Sequence, residues 1–385
     1  MKTIQIGTMQ LQPSGYRAFI PASFPPKSIY DFPKNILIKN SDSTFIVGTL
    51  NGITRLLPDI DFFIKMYLRK DATSSSQIEG TLATMIDAIE AEAKINSSLP
   101  DDVDDILHYL TALHFGMRQI EDHNFPFSLR FIRDLHYQLL HEARSSHHAN
   151  PGEFRITQNW VGGTIPDNAR FVPPPPSHLI NALGDLEAFI HANDGVPVLL
   201  KAGLLHAQFE TIHPFLDGNG RTGRLLITLY LWNKQYLNKP VLYLSSYFHL
   251  HRQEYYDRLE GYHQGKVFEW LDFYLDGVIH TATEAIETVD KIIELREKDM
   301  RIIQGLGKRS AELITKLLPS LFTQPIVNVQ TIQYWTGYTR DGAHKIITRL
   351  VDLGILVPRY TDKTYGQSYM YKKYLDIFTE SSFVA

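Results

Sequence analysis

Apolar residues recur at intervals of three and four over most of the chain, which predicts a mainly helical protein. Two such stretches, DDVDDILHYLTALHFGMRQIE and SLRFIRDLHYQLLHEA, place their apolar side chains on one helical face. The stretch PVLLKAGLLHAQFETI is apolar almost all round, so a buried helix is expected there. Residues 1–50 differ, because they are proline-rich and show little helical period. They are predicted to lean towards β-structure, with AFIPASFPPK as an extended strap over another surface, and helix is expected to begin near Phe45.

One break in the helical pattern predicts a β-hairpin. The stretch RITQNWVGGTIPDNARFVPPPPSHL combines two short apolar runs, a Gly-Gly pair, a polar tip and four prolines. A hairpin followed by a rigid proline segment fits this composition. Ser177 is the predicted N-cap of the next helix.

The pattern of apolar and polar residues changes again after about Asp299. Three short helical patterns are followed by two short strand-like runs, which is the pattern of a winged-helix (α+β) domain. Three sequential domains are therefore predicted: an N-terminal region over residues 1–100, a helical core over 101–290 and a winged-helix-like domain over 291–385.

Composition narrows the functional classes. The chain has 385 residues, no cysteine and a net charge of −4, so disulfides and zinc-thiolate sites are excluded. Neither a secretory signal nor an apolar run of membrane-spanning length is visible, so a cytoplasmic protein without membrane contact is expected. The segment from Arg301 to Lys373 carries 11 Lys and Arg against 4 Asp and Glu. This balance leaves DNA open as a partner of the C-terminal domain.

The stretch HPFLDGNGRTGR, residues 213–224, holds the highest density of charged residues and glycines suited to a reaction site. Its glycines match the dinucleotide-binding pattern G-x-G-x-x-G, but a helix precedes them where that fold needs a strand. A loop at the mouth of a helix instead predicts anion binding, because free N–H groups and the helix dipole point at the ligand. Gly218 and Gly220 let the backbone approach a phosphate. Arg221 and Arg224 share a helical face and form a clamp for a polyphosphate.

Two further side chains complete a reaction centre. Asp217 is a hard oxygen ligand suited to a Mg²⁺ ion that bridges phosphates. His213 stands at the loop entrance, where it is suited to take a proton from a hydroxyl. Phe215 is expected to anchor the loop in the core. The histidines of HYQLLHEARSSHH, including His136 and His141, are interpreted as a solvated cluster at a helix end rather than a metal site.

This loop resembles the signature H-P-F-x-D-G-N-G-R-x-x-R of the Fic family and matches it at every fixed position. The resemblance implies a helical Fic fold with a β-hairpin flap, and transfer of AMP from ATP to a hydroxyl of a target protein. It implies His213 as the base and Asp217 as the Mg²⁺ ligand. The implied nucleotide contacts are Gly218, Asn219, Gly220, Arg221, Gly223 and Arg224. Glycine at position 220, where the related Doc branch carries lysine, favours AMP transfer.

The resemblance extends to the flap and the nucleobase side. The implied target-docking residues of the flap are Val161, Gly162, Gly163, Thr164 and Ile165, which would pair with an extended segment of the target. Tyr255 and Tyr256 are candidates for the base side, although one of them is expected to pack in the core. His251 and Arg252 stand where many relatives have Asn-Arg, which puts the base contact in doubt.

A second resemblance lies upstream, in Ser75-x-x-x-Glu79-Gly80. From the residues alone this is a serine-rich helix start, capped by Thr73 or Ser74, with Gly80 as a weak point inside the helix. It also resembles the Fic inhibitory motif, which implies that Glu79 pairs with Arg224 in a bidentate manner. The same glutamate has a second implied role in removing AMP.

Two functions stand at this point. The first is a self-inhibited protein adenylyltransferase with ATP and Mg²⁺, acting on an unidentified target protein and also on itself. The second is a DNA-binding transcriptional regulator whose Fic domain is sensory or silent. A homodimer is left open.

Overall fold

The computed structural model describes residues 3–55, 60–96, 98–121, 125–143, 150–360 and 366–379. Helices dominate this part of the chain, as predicted. They are α1 (Lys34–Thr54), α2 (Ile60–Ile78), α3 (Met85–Ala93), α4 (Val103–Glu121), α5 (Leu129–Leu140), α6 (Pro176–His191), α7 (Val198–Ile212), α8 (Asn219–Asn233), α9 (Ser245–Leu250), α10 (Arg252–His263), α11 (Val267–Gln304), α12 (Lys308–Thr323), α13 (Val329–Thr336), α14 (Arg340–Asp352) and α15 (Lys372–Thr379).

The strands are few and short. Strands β1 (Gly7–Leu11) and β2 (Arg17–Pro21) form an antiparallel hairpin in which Met9 pairs with Phe19. Strands β3 (Ile326–Val327), β4 (Val357–Pro358) and β5 (Tyr369–Met370) form a second antiparallel sheet in the order β3-β5-β4.

The prediction for residues 1–50 was wrong in part. The hairpin of β1 and β2 agrees with the expected β-structure, but α1 begins at Lys34, well before Phe45. The polar run KNSDS hid the helical period, although α1 buries Ile36, Val47 and Leu50 on one side. Pro33 directly precedes the first helical residue, a position where proline does not disturb a helix.

The chain divides into two compact units. The first contains residues 1–51, 74–80 and 108–282, and the second contains 52–73, 81–107 and 283–385. The three sequential domains of the sequence analysis stay a prediction. The short segment 74–80, which carries Ser75 and Glu79, belongs to the same unit as the loop 213–224.

In the first unit, α7 lies at the centre. It contacts α6, α8 and α10, and every residue from Leu199 to Ile212 is buried. Trp270 of α11 is buried against α7 and donates a hydrogen bond from Nε1 to the carbonyl of Gly203 at 2.8 Å. Gly203 has no room for a side chain, because a Cβ would lie 2.8 Å from the ring of Tyr274. The loop 213–224 therefore begins at the end of a tightly packed helix.

In the second unit, α13 packs on α14 and α3 packs on β3. The three predicted helices are α12, α13 and α14, followed by β4 and β5, while β3 and α15 were not predicted. The assignment to the winged-helix class stays a prediction. In the described part of the chain, no helix combines the length and apolar character needed to cross a membrane.

Candidate active site

The loop 213–224 joins the end of α7 to the start of α8. His213 is the C-cap of α7 and adopts the left-handed conformation, with φ of 49°. Gly218 is the N-cap of α8 with φ of 76°, so the loop turns sharply at both ends. A non-glycine residue at positive φ costs about 1–3 kcal/mol and persists only when its surroundings hold it. The contacts that hold His213 come from a different segment.

Arg155 and Asn159 fix the backbone of the loop. Arg155 is 3% exposed, and its guanidinium donates from Nε to the His213 carbonyl at 2.8 Å and from Nη2 to the Pro174 carbonyl at 2.6 Å. Asn159 Nδ2 donates to the carbonyls of His213 at 3.2 Å and Phe215 at 2.7 Å. Burial lowers the pKa of Arg155 to about 10, so it remains charged and completes the carbonyl-rich end of α7. Sequence analysis assigned no role to either side chain.

The interior of the loop closes around Phe215. As predicted, this side chain is fully buried. Asn219 Oδ1 accepts from the Phe215 N–H and its Nδ2 donates to the Phe215 carbonyl, both at 2.8 Å. The Asn219 amide is therefore occupied in shaping the loop, and its backbone rather than its side chain is left for a ligand.

His136 supports the loop from α5. Its ring stacks on Phe215 with centroids 3.6 Å apart. Nδ1 accepts from the Gly152 N–H at 2.8 Å, so Nε2 carries the proton and donates to the Asp217 carbonyl at 2.9 Å. Burial lowers the pKa of His136 to about 4, which keeps the ring neutral. The prediction of a solvated histidine was wrong, because a lone histidine in a helical pattern does not reveal which face it occupies.

Arg224 is held by the segment 74–80. Its guanidinium side chain is 1% exposed. Nε donates to Ser75 Oγ at 2.8 Å, and Nη2 donates to the Ser75 carbonyl at 2.9 Å and to Glu79 Oε1 at 2.8 Å. The pairing expected from sequence is present, but it is not the bidentate carboxylate pair that was predicted. The Arg224 guanidinium donates to three acceptors, all of which lie on the segment 74–80.

The local structure around Glu79 also differs from the prediction. Ser75 lies in the last turn of α2, which ends at Ile78, so the serine-rich run closes a helix rather than starting one. Gly80 follows the helix with φ of 107°, a conformation that glycine adopts without strain. Thr73 to Ser76 are buried, and burial of these small side chains outweighs their usual preference for helix starts.

A cavity of about 630 Å³ opens at this loop. The predicted residues that line it are Glu79, Val161, Gly162, His213, Asp217, Gly218, Asn219, Gly220, Arg221, Arg224, Tyr255 and Tyr256. Residues that line it without having been predicted for the site include Trp160, Arg170, Phe171, Glu210, Glu260 and His263. The structure thus brings His213, the two arginines and Glu79 to one space, large enough for a nucleotide-sized ligand.

The comparisons with known proteins agree with this site. The Fic/DOC family matches residues 126–231, and the N-terminal region of the Fic/DOC family matches residues 37–118. The chain contains a Fic/DOC domain. This places the loop 213–224 inside the family-defining segment and Glu79 inside the N-terminal one.

Curated relatives that this chain resembles include two insect proteins. The protein adenylyltransferase Fic of Culex quinquefasciatus is 30% identical over 208 residues, covering 52% of this chain and 38% of the relative. That of Drosophila melanogaster is 28% identical over 244 residues, covering 61% and 44%. The chain thus spans less than half of these relatives.

Solved structures show the same fold. A Fic family protein from Desulfovibrio desulfuricans G20 superposes with a TM-score of 0.56 at 16% identity, covering 88% of this chain and 96% of that one. A Fic domain containing signaling protein from Bacteroides thetaiotaomicron superposes with a TM-score of 0.53 at 19% identity, covering 65% and 98%. The predicted Fic fold is confirmed.

Two glycines of the Fic loop face carboxyl groups. A Cβ on Gly220 would lie 2.4 Å from Glu79 Oε1 and 3.0 Å from Arg224 Nη1, so any side chain there would intrude on this ion pair. A Cβ on Gly223 would lie 2.4 Å from Glu210 Oε1. Gly223 is not among the residues that line the cavity, and it packs against Phe209 and His206, so its contact with a nucleotide stays a prediction.

The two tyrosines of α10 have different environments. Tyr255 is buried, stacks on Phe248 at 4.6 Å and hydrogen-bonds through its hydroxyl with His206 Nε2 at 2.9 Å. Tyr256 is partly exposed and donates to the Ile78 carbonyl at 3.3 Å, with the Arg252 guanidinium 5.8 Å from its ring centre. Tyr255 is the core residue of the pair, and Tyr256 presents more surface to the cavity.

The flap is shorter than the predicted hairpin. A single antiparallel pair, Val161 with Phe171, closes it. Gly163, Thr164 and Ile165 lie towards the tip and do not line the cavity. Arg170 ties the flap to α10, since it donates to Asp257 at 2.6 Å and Glu260 at 3.0 Å.

Asp217 was predicted to bind metal, and its position fits this role. Its side chain is half exposed in the cavity, Oδ1 accepts from the Gly218 N–H at 2.7 Å, and Oδ2 lies 4.0 Å from Arg221 Nη2. Within the described ranges, no group of three or more His, Cys, Asp or Glu could hold a metal ion. A single carboxylate suits Mg²⁺, which usually takes one or two carboxylates and completes its shell with phosphates and water.

His136 provides a test of the loop support. Replacing it by phenylalanine keeps the stack on Phe215 but removes the hydrogen bonds of the ring with the Gly152 N–H and the Asp217 carbonyl. We expect His136→Phe to lower the free energy of unfolding by about 1–3 kcal/mol, measured by urea denaturation. The control is His141→Phe, whose side chain is 51% exposed. Equal stability of both variants would contradict the supporting role.

Proposed function

We propose that this chain is a protein adenylyltransferase that Glu79 holds in an inactive state. The observation that carries the proposal is Arg224, whose guanidinium is held by Ser75 and Glu79 at the mouth of the cavity that also contains His213. The names of the insect relatives support the activity. ATP is the proposed AMP donor and a hydroxyl side chain of a target protein the acceptor.

His213 is suited to act as the base. Burial lowers its pKa to about 4, although the Glu210 carbonyl and the charge of Glu79 act in the opposite direction. The ring is therefore neutral at pH 7 and has a free lone pair. The target hydroxyl gives its proton to His213 as its oxygen attacks the α-phosphorus. The bond from phosphorus to the bridging oxygen breaks, and pyrophosphate leaves.

The other residues bind and orient the triphosphate. Arg221, Arg224 and the N–H groups at the start of α8 offset the negative charge that grows on the leaving group. A Mg²⁺ ion held by Asp217 would add a further positive charge there. The flap is proposed to hold the target segment beside Val161 and Gly162, through backbone hydrogen bonds that do not depend on target sequence.

Removing Glu79 should release Arg224. We expect Glu79→Gly to raise transfer of AMP from α-labelled ATP to the chain itself by about tenfold or more, because a charge-assisted hydrogen bond contributes roughly 1.5–3 kcal/mol. The measurement is the initial rate of protein labelling. Glu153→Gly is the matched control, since Glu153 is also an exposed loop glutamate paired with an arginine. If Glu79→Gly labels no faster than the parent, Glu79 is not a brake.

The base can be tested in the released form. We expect His213→Ala in the Glu79→Gly background to reduce labelling by at least about 100-fold, the contribution of a general base. Binding of ATP, measured by calorimetry, should change little, because His213 is assigned to the hydroxyl and not to the phosphates. Labelling that survives the substitution would rule out His213 as the base.

We propose duplex DNA as a ligand of the second unit. Helices α13 and α14 are joined by a short turn with Gly337 at φ of 70° and Thr339 as N-cap, an arrangement of helix-turn-helix type. The exposed residues of α14 are Arg340, Asp341, His344, Lys345, Thr348, Arg349 and Asp352, so two acidic residues dilute the basic character, while the apolar face is buried. A polar, partly basic helix face of this kind suits the major groove.

Electrophoretic shift and fluorescence anisotropy with mixed-sequence duplex DNA at low salt test this second function. We expect the double variant Lys345→Gln and Arg349→Gln to bind at least about tenfold more weakly, with a salt slope smaller by roughly one for each phosphate that is no longer neutralised. Arg130→Gln is the control, because that side chain is 90% exposed on α5. Parent protein that shifts no DNA would remove this function and leave the transferase proposal untouched.

A further inference from the structure

Glu210 is a buried acid next to the proposed base. It lies one helical turn before His213 on α7, its side chain is 9% exposed, and it lines the site cavity. Its position in the sequence gives no sign of this, because a single glutamate near the end of a helix is ordinary.

The contacts place both oxygen-bearing groups of Glu210 beside one ring nitrogen. His213 Nδ1 lies 3.3 Å from the Glu210 carbonyl oxygen and 3.7 Å from carboxyl oxygen Oε2. A carbonyl can only accept, so Nδ1 carries the proton of the neutral ring. Nε2 is then left with the lone pair that a base needs.

The surroundings keep the carboxyl group in place. Gly223 faces it so closely that a Cβ would lie 2.4 Å from Oε1, so a side chain at that position would push the carboxyl group away. Oε1 itself is buried and has no hydrogen-bond partner among the described residues. A buried carboxyl oxygen without a partner is costly and marks a group held for another purpose.

The charges around Glu210 connect it to the brake. Burial raises its pKa to about 8, Arg224 acts to lower it, and the charge of Glu79 raises it further. With Glu79 in place, Glu210 is largely neutral at pH 7. Loss of the Glu79 charge removes one cause of the raised pKa and favours the carboxylate.

We propose that Glu210 is a positioning residue for His213, fixing its tautomer through the carbonyl and stabilising its charged form through the carboxylate. The inference rests on the proposed function. When the target oxygen bonds to the α-phosphorus and pyrophosphate leaves, the hydroxyl proton moves to Nε2 and the Nδ1 proton stays on the ring. The Glu210 carboxylate then offsets the positive charge of the imidazolium, as carboxylates beside catalytic histidines do.

The kinetic test uses Glu210→Gln in the Glu79→Gly background, with self-labelling from α-labelled ATP as the readout. Glutamine keeps the size and an acceptor oxygen but removes the charge. We expect the maximal rate to fall about tenfold or more. We also expect the rise in rate that accompanies ionisation of Glu210 to disappear from the pH profile, because glutamine does not titrate. Glu187→Gln is the control, since Glu187 accepts from the Leu129 N–H at 2.8 Å outside the cavity. An unchanged rate and profile would overturn the inference.

A second readout does not depend on transfer. In ¹⁵N-histidine NMR of the whole chain without nucleotide, the His213 signals are assigned by their loss in His213→Ala. In the Glu79→Gly parent we expect the His213 signals to move with pH over the range in which Glu210 ionises, and we expect no such movement in the glutamine variant. Equal behaviour of the two would contradict the role of Glu210. If no variant labels at all, the proposed function fails while the NMR comparison still decides the coupling. Glu210→Asp, which keeps a titrating carboxyl group, replaces glutamine if that variant unfolds, and should retain the movement.

Discussion

The arrangement of the site depends on one shared guanidinium. Arg224 is buried in a place where its charge needs acceptors, and in the described state Ser75 and Glu79 supply them. A buried guanidinium without acceptors would cost several kcal/mol. Under the proposed function, a phosphate ligand and the segment 74–80 would compete for the same donor groups of Arg224.

The reacting loop is rigid for a separate reason. Its turns are held through backbone carbonyls, by Arg155 and Asn159 on one side and His136 on the other. Of the loop's own side chains, those of Phe215 and Asn219 contribute to this support. The N–H groups at the start of α8 remain for a ligand, and the side chains of His213, Asp217 and Arg221 line the cavity. Such preorganisation removes much of the cost of ordering a site during reaction.

The sequence predicted the contiguous part of the site and missed the part assembled from afar. The loop 213–224 was readable because its spacing is local and its glycines and arginines are unusual together. Arg155 and His136 come from other segments, and Glu210, although only one helical turn before His213, carries no local signal. Helix propensity also gave a wrong prediction at Ser75, because buried serines that usually favour helix starts lie here at a helix end. In α1, polar residues hid the apolar face of the helix. The pairing of Glu79 with Arg224 was predicted from resemblance, but its geometry required the structure.

Because Glu79 and Arg224 belong to one chain, their contact behaves as an intramolecular ligand. A tethered group competes at an effective concentration of about the millimolar range or above. A nucleotide that needs Arg224 must therefore overcome a competitor that cannot be diluted away. Under the proposed function, the brake would set a threshold in free nucleotide, and small changes in the fit of segment 74–80 would move that threshold without altering any group that takes part in the reaction.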